Sequence, residues 1–179
     1  MNTTRTLVLS FVLLVGLPSM ALAQTGSASS KAVTASLKGI HDLTSGNILK
    51  TAEMLDEAIY AFKPTEDVRT AGQILAHVAN AQYAFCSSAA GEEAPAHPNF
   101  EETATTKADI VAALKGAFGY CNGVYDAMTD AQGAMMKPFF GNEMAASAIL
   151  SFNTAHNYEH YGNLVTYMRI KGIVPPSSM

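Results

Sequence analysis

From residue 31 to about residue 62, apolar side chains recur as Leu37, Ile40, Leu43, Ile48, Leu55, Ala58, Ile59 and Phe62. That is close to the period of a helix, with no internal proline, and it predicts a first helix with those residues on its core face. Lys63-Pro64-Thr65-Glu66-Asp67 ends it. At Thr70 and Gln73 a hydroxyl and an amide stand three apart, the spacing of a capping box, so a second helix starts there and runs to about residue 90. Residues 91–105 contain Pro95 and Pro98 and lack periodicity. At about 3.3 Å per residue such a connection can recross a bundle of roughly 30 Å. Thr106 to Asp109 opens a third helix that ends near Met128. In residues 130–142, which include Gly133, Pro138 and Gly141, Phe139 and Phe140 are expected to fold back as a plug over the core. A fourth helix follows from about residue 143 to 171. Arg169 and Lys171 complement its dipole, Gly172 suits a left-handed cap, and Pro175-Pro176 forbid continuation. The pattern predicts an all-α fold with four long helices and no internal repeat.

Ahead of these helices stand Arg5, an apolar run over residues 7–17, Pro18, and Ala21-Leu22-Ala23 before Gln24. That order is expected of a secretory signal peptide over residues 1–23, because the run falls short of the about 20 residues that span a bilayer. Residues 24–30, small and polar, read as a flexible leader, and residues 31–179 as one domain. No second run of spanning length follows, so the processed chain is expected to be periplasmic or secreted, with no membrane span.

Composition sharpens this. The chain has 15 acidic against 11 basic residues, and loss of Arg5 moves the formal charge from −4 to −5. Its basic residues are scattered, so nucleic acid is not an expected partner. Export also favours a disulfide between Cys86 and Cys121, the alternative being two small buried thiols. Met135-Met136 reads equally as a contact surface, for instance of a homodimer, or as buried packing.

His156 and His160 lie four apart on the fourth helix, within reach of one metal ion. Spacing alone fits two hydrogen-bonded histidines as well. Their face continues to Ile149, Phe152 and Leu164, and an apolar face tolerates imidazoles poorly without partners. Three other histidines could supply a third ligand. His97 sits in the proline-containing connection, and His41 is expected roughly 20 Å from the level of His77 if the first two helices are antiparallel. His77, among apolar and small neighbours, fits a core histidine by itself.

Three segments carry a more specific likeness. The stretch from Thr70 to His77, His156-Asn157-Tyr158-Glu159-His160-Tyr161-Gly162, and the ending from Tyr167 to Pro176 together resemble the DinB/YfiT-like metalloprotein family over essentially the whole processed chain. The resemblance implies a four-helix bundle of up-down-down-up topology and a three-histidine metal site, whose ligands here would be His77, His156 and His160. Under that topology Cys86 and Cys121 fall at nearly the same level. Many relatives carry a basic residue where this chain has Tyr161, so the resemblance carries over the metal site and not a substrate preference. Gly162 is expected to serve packing.

Three imidazoles would leave coordination positions open, as catalytic sites do. The expected ion is divalent, zinc foremost, with nickel or iron suited to the same donors. Asn80, Asn153, Asn157 and Glu159 are candidate helpers, whereas Tyr83, Tyr125, Tyr158 and Tyr161 are expected to pack by ring. Three readings follow: a metal-dependent transferase or hydrolase acting on a small-molecule electrophile, a non-catalytic metal-binding or stress-related protein of the envelope, or a helical domain whose histidines are relics.

Overall fold

A computed structural model describes residues 30–179. The expected signal peptide and all but the last residue of the expected leader lie outside the described residues. Within them the chain is mostly helical. In order, α1 spans Ala32–Met54, α2 Glu57–Tyr60, α3 Ala71–Ala90, α4 Phe100–Thr103, α5 Lys107–Ala127 and α6 Asp130–Gly133. Strands β1, Met136–Phe139, and β2, Asn142–Ala145, precede α7, Ala146–Ile170, and a final 3-10 turn covers Pro176–Ser178. The four long helices pack α3 against both α5 and α7, and α1 against the same two.

The boundaries follow from local chemistry. The Thr70 hydroxyl accepts from the Gln73 N–H and the Gln73 side chain accepts from the Thr70 N–H, so the α3 capping box forms. Thr106 caps α5 through the Asp109 N–H. At the end of α3, Gly91 is left-handed, with φ 74°. The first helix is shorter than its periodicity suggests and stops at Met54. Leu55 is extended there (φ −65°, ψ 137°), and its carbonyl accepts from Lys107 Nζ at 2.7 Å, so α5 satisfies an acceptor that another turn of helix would have used.

The core face of α1 also differs from expectation. Ile40 and Leu43 are 47% and 60% exposed, while Thr34, His41, Thr44, Ile48, Thr51 and Ala52 turn inward. Threonine is tolerated there because its hydroxyl bonds back to its own helix: Thr44 Oγ1 donates to the His41 carbonyl at 3.0 Å and Thr51 Oγ1 to that of Asn47 at 2.8 Å. His41 has no such outlet. It is fully buried, stacks on Tyr125 with centroids 4.4 Å apart, and neither ring nitrogen has a partner.

Between α6 and α7 the chain forms a hairpin rather than a plug. Met136 pairs with Ala145 and Phe139 with Asn142, leaving the two-residue loop Phe140-Gly141, both at positive φ (48° and 77°). Four-residue strands are too short for a period-two signal to be read. Phe139 is buried as expected, but Phe140 is 72% exposed.

The core falls into two apolar clusters. One gathers Ile48, Leu75, Leu114, Leu164 and Met168, and the other Phe85, Val124, Tyr125, Ile149 and Leu150 around the disulfide joining Cys86 and Cys121, whose Cα atoms are 5.4 Å apart. Along α3 and α7 the clusters are separated by the fully buried amides of Gln82, Asn153 and Asn157. Gln82 Nε2 donates to Asn157 Oδ1 at 2.7 Å, and Asn153 Nδ2 donates to Gln82 Oε1 at 3.0 Å. No described helix is long and apolar enough to cross a membrane.

Burial depresses the His41 pKa to about 4, with smaller opposing effects from Asp42 and Asn122. The unfolded chain takes up this proton near the ordinary value of about 6.5. His41 burial is therefore fully compatible with the fold above pH ~6.5 and costs stability as the pH falls towards 4, by about 3 kcal/mol at the lower limit. Urea unfolding of the metal-free protein at pH 7 and pH 4.5 is expected to show a smaller pH-dependent loss for His41→Phe than for the parent. Equal losses would contradict this.

Candidate metal centre

His77 stands on the second turn of α3, fixed at its start by the capping box and by the Ala71 N–H, which donates to the Phe62 carbonyl at 3.0 Å. Gly72 lets this turn approach the chain after α1: a Cβ there would lie 3.1 Å from the Tyr60 carbonyl oxygen. His156 and His160 project from successive turns of α7. The α3–α7 contact brings the three rings together. The Nε2 atoms of His77 and His156 are 3.2 Å apart and those of His156 and His160 are 3.0 Å apart. One ligand atom from each ring lies within 4.8 Å of the others, a group able to hold one metal ion.

The protonation states follow from the partners. His77 Nδ1 lies 2.8 Å from Glu101 Oε2, and a carboxylate only accepts, so Nδ1 carries the proton. In the neutral ring this leaves the His77 Nε2 lone pair facing the other two histidines. Burial works against ionisation of Glu101, but hydrogen bonds from Arg69 and His77 outweigh it and hold its pKa below the usual carboxylate range. Arg69 Nε donates to Glu101 Oε1 at 2.8 Å. His156 is pushed down to about 3, first by burial and then by the neighbouring His160 and His77, and burial likewise lowers His160. Both are neutral at pH 7, the state in which imidazole binds metal.

Protons alone do not satisfy this cluster. His156 Nε2 bears either one hydrogen or one lone pair. As an acceptor it faces the bare His77 nitrogen; as a donor it has a single N–H for two contacts. The Nδ1 atoms of His156 and His160 are buried without partners. A cation among three Nε2 lone pairs resolves the conflict at Nε2, and nitrogens about 2.0–2.1 Å from one ion stand about 2.8–3.4 Å apart in octahedral to tetrahedral geometry. The donor set fits a divalent metal.

Glu101 was not legible as a site residue, because residues 91–105 show no periodicity. The segment is nevertheless ordered by side chains. Asn99 caps α4 through the Glu101 N–H at 3.2 Å, and Asn80 holds the same turn, donating to Asn99 Oδ1 at 2.7 Å and accepting from the Phe100 N–H at 3.0 Å. Asn99 followed by Glu101 and Glu102 is a helix-start signal that could have been read. Asn80 thus acts on the centre through α4, and Asn153 and Asn157 belong to the buried amide group. Glu159 is exposed.

The other singled-out residues lie elsewhere. His97 stacks on Tyr83 and on Phe100, and His41 packs on Tyr125. Tyr158 is 43% exposed, while the Tyr161 ring is buried with its hydroxyl donating to Ser177 Oγ at 3.0 Å. Gly162 has open space where a Cβ would be, so close packing does not explain it.

The profile of the DinB superfamily matches residues 41–164, a span that contains all three histidines. No curated protein sequence matches the chain. Among solved structures, a DinB-like protein from Bacillus subtilis superposes with a TM-score of 0.62 at 18% identity, covering 76% of this chain and 92% of that one. A DinB-like protein from Bacillus cereus gives 0.68 at 17% identity, covering 78% and 93%. A mycothiol-dependent maleylpyruvate isomerase gives 0.59 at 14% identity, covering 73% of this chain and 60% of its own. At these identities the structural likeness is one of fold. The profile match extends over well more than half of the sequence, and the chain belongs to the DinB superfamily.

Proposed function

We propose that this protein is a metal-dependent transferase or hydrolase acting on a small electrophile, with one divalent ion, zinc foremost and nickel or iron as alternatives, held by His77, His156 and His160. The observation that carries the reading is the convergence of three Nε2 atoms with the His77 tautomer fixed by a carboxylate. Three protein donors leave positions for water or substrate, as catalytic sites do and closed structural sites do not. A bound ion would supply Lewis acidity, polarising a carbonyl or activating a water or thiol nucleophile. The protein's part is positional. Glu101 keeps the His77 proton on Nδ1, Arg69 keeps Glu101 ionised, and the burial of His156 and His160 keeps both rings neutral. One fold relative is named as a thiol-dependent isomerase, which supports testing thiols as cosubstrates.

The four long helices form an up-down-down-up bundle, supported by the pairing of Cys86 near the end of α3 with Cys121 near the end of α5. The protein is exported to the periplasm or beyond. Its signal-like start and its disulfide support this, since such bonds persist in oxidising compartments.

Protein purified from the secreted fraction is expected to begin at Gln24 by intact mass and to carry about one ion per chain by elemental analysis, as three donors on one centre require. His77→Ala and His156→Ala should each bind the ion far more weakly and be purified with well below one ion per chain. Full occupancy in both would remove the three-histidine centre. Saturable, metal-dependent turnover in a screen of thiols with ester or amide electrophiles supports the enzyme. Occupancy without turnover supports the sequestering alternative.

Glu101→Gln removes the charge that orients His77 and is expected to weaken metal binding about 10- to 100-fold. Competition with a chromogenic chelator measures this. An unchanged affinity would show that the carboxylate has no part in the centre.

A further inference from the structure

A group of phenyl rings continues from the metal centre along α3 and α7. Phe152 precedes His156 by one turn of α7, and Phe85 follows His77 by eight residues on α3. The Phe85 ring meets His156 edge to face with centroids 5.1 Å apart and meets Phe152 at 5.2 Å. Phe140, from the hairpin loop, approaches Phe152 at 5.9 Å and Phe85 at 6.1 Å. Phe85 is buried beneath this group, whereas Phe152 is 40% and Phe140 72% exposed.

The hairpin is built to keep Phe140 there. A two-residue loop with both residues at positive φ favours Asn-Gly, and this chain has Phe-Gly. A left-handed phenylalanine is strained, and such strain persists where surrounding structure enforces it. Enforcement comes from Phe139, buried against Phe85 at 5.7 Å, and from Ser88 Oγ, which donates to the Pro138 carbonyl at 2.6 Å. Burial of Phe139 accounts for the hairpin's packing; it does not require a second large ring in water. An exposed apolar group of this kind is a candidate place of binding, and its contact with His156 through Phe85 puts it beside the three histidines.

We propose that Phe85, Phe152 and Phe140 form the specificity wall of the centre, receiving the aromatic or branched apolar group of a small molecule whose polar head meets the ion. This rests on the metal-centre reading above. The wall selects by shape and apolar area, because it offers phenyl rings alone.

Hydroxamates separate the two claims, since they ligate an open metal position whatever their tail. By calorimetry on the metal-loaded full processed chain, benzohydroxamate is expected to bind about tenfold more tightly than acetohydroxamate, as burial of a phenyl ring allows. A double variant, Phe140→Ser with Phe152→Ser, should reduce that preference to within about twofold of parity while leaving acetohydroxamate affinity unchanged. Both positions are exposed, so circular dichroism should show an intact fold. Acetohydroxamate binding with no phenyl preference in the parent would overturn the wall and leave the metal centre standing. Binding of neither compound would overturn both. Equal losses for both compounds in the variant, or a concentration-dependent dimer in the parent that the variant abolishes, would also overturn it, the latter by reassigning the surface to self-association.

Discussion

The register between α3 and α7 is the constraint on which the centre depends, and three buried amides set it. Gln82 bonds through its nitrogen to Asn157 and through its oxygen to Asn153, all three out of contact with water. An unpaired buried amide costs of order 1–3 kcal/mol. A slide of one helix turn along the other would break both bonds, and apolar packing alone discriminates poorly between neighbouring registers. His77 is five residues before Gln82, and His156 adjoins Asn157, so the pairing that satisfies both polar ends of Gln82 also aligns the imidazoles. The disulfide acts beside it, tying α3 to α5 one turn further along.

The centre itself is a second case of polar groups stabilised by what surrounds them. Three imidazoles are held close, the α7 pair kept neutral by burial, and of the three only His77 has an outer partner, the Glu101 carboxylate braced by Arg69. That asymmetry is informative. The α7 pair is held by its own helix, whereas the single α3 histidine is oriented by a separate one-turn helix, which Asn80 fastens back onto α3. The unpaired Nδ1 atoms of His156 and His160 mark the side where the fold supplies no orienting group. The phenyl rings begin one turn earlier on α7, at Phe152, and meet the imidazoles where Phe85 packs on His156.

Much of this was legible in sequence where a single element carries the signal. The α3 capping box, the end of α7 at Gly172 and the i, i+4 histidine pair depend on residues within a turn or two of each other. What needed the structure is information held between elements. The true core face of α1 runs through threonines whose hydroxyls bond to their own backbone, so an apolar count placed Ile40 and Leu43 inside. The hairpin has strands of four residues, too few for alternation to show. Glu101 takes its role from Arg69 and His77, 32 and 24 residues away, and no local pattern encodes that. His77 became a ligand candidate through the likeness of its surrounding segment, since alone it resembles any buried histidine.

The central claim is that one ion sits among three Nε2 atoms with positions left open, and X-ray absorption at the metal edge of the zinc-loaded chain reads that directly. The account predicts a first shell of nitrogen and oxygen at about 2.0–2.1 Å, with outer scattering that fits three imidazoles and falls to two in His77→Ala. A shell containing sulfur, or imidazole scattering unchanged by loss of His77, would contradict it.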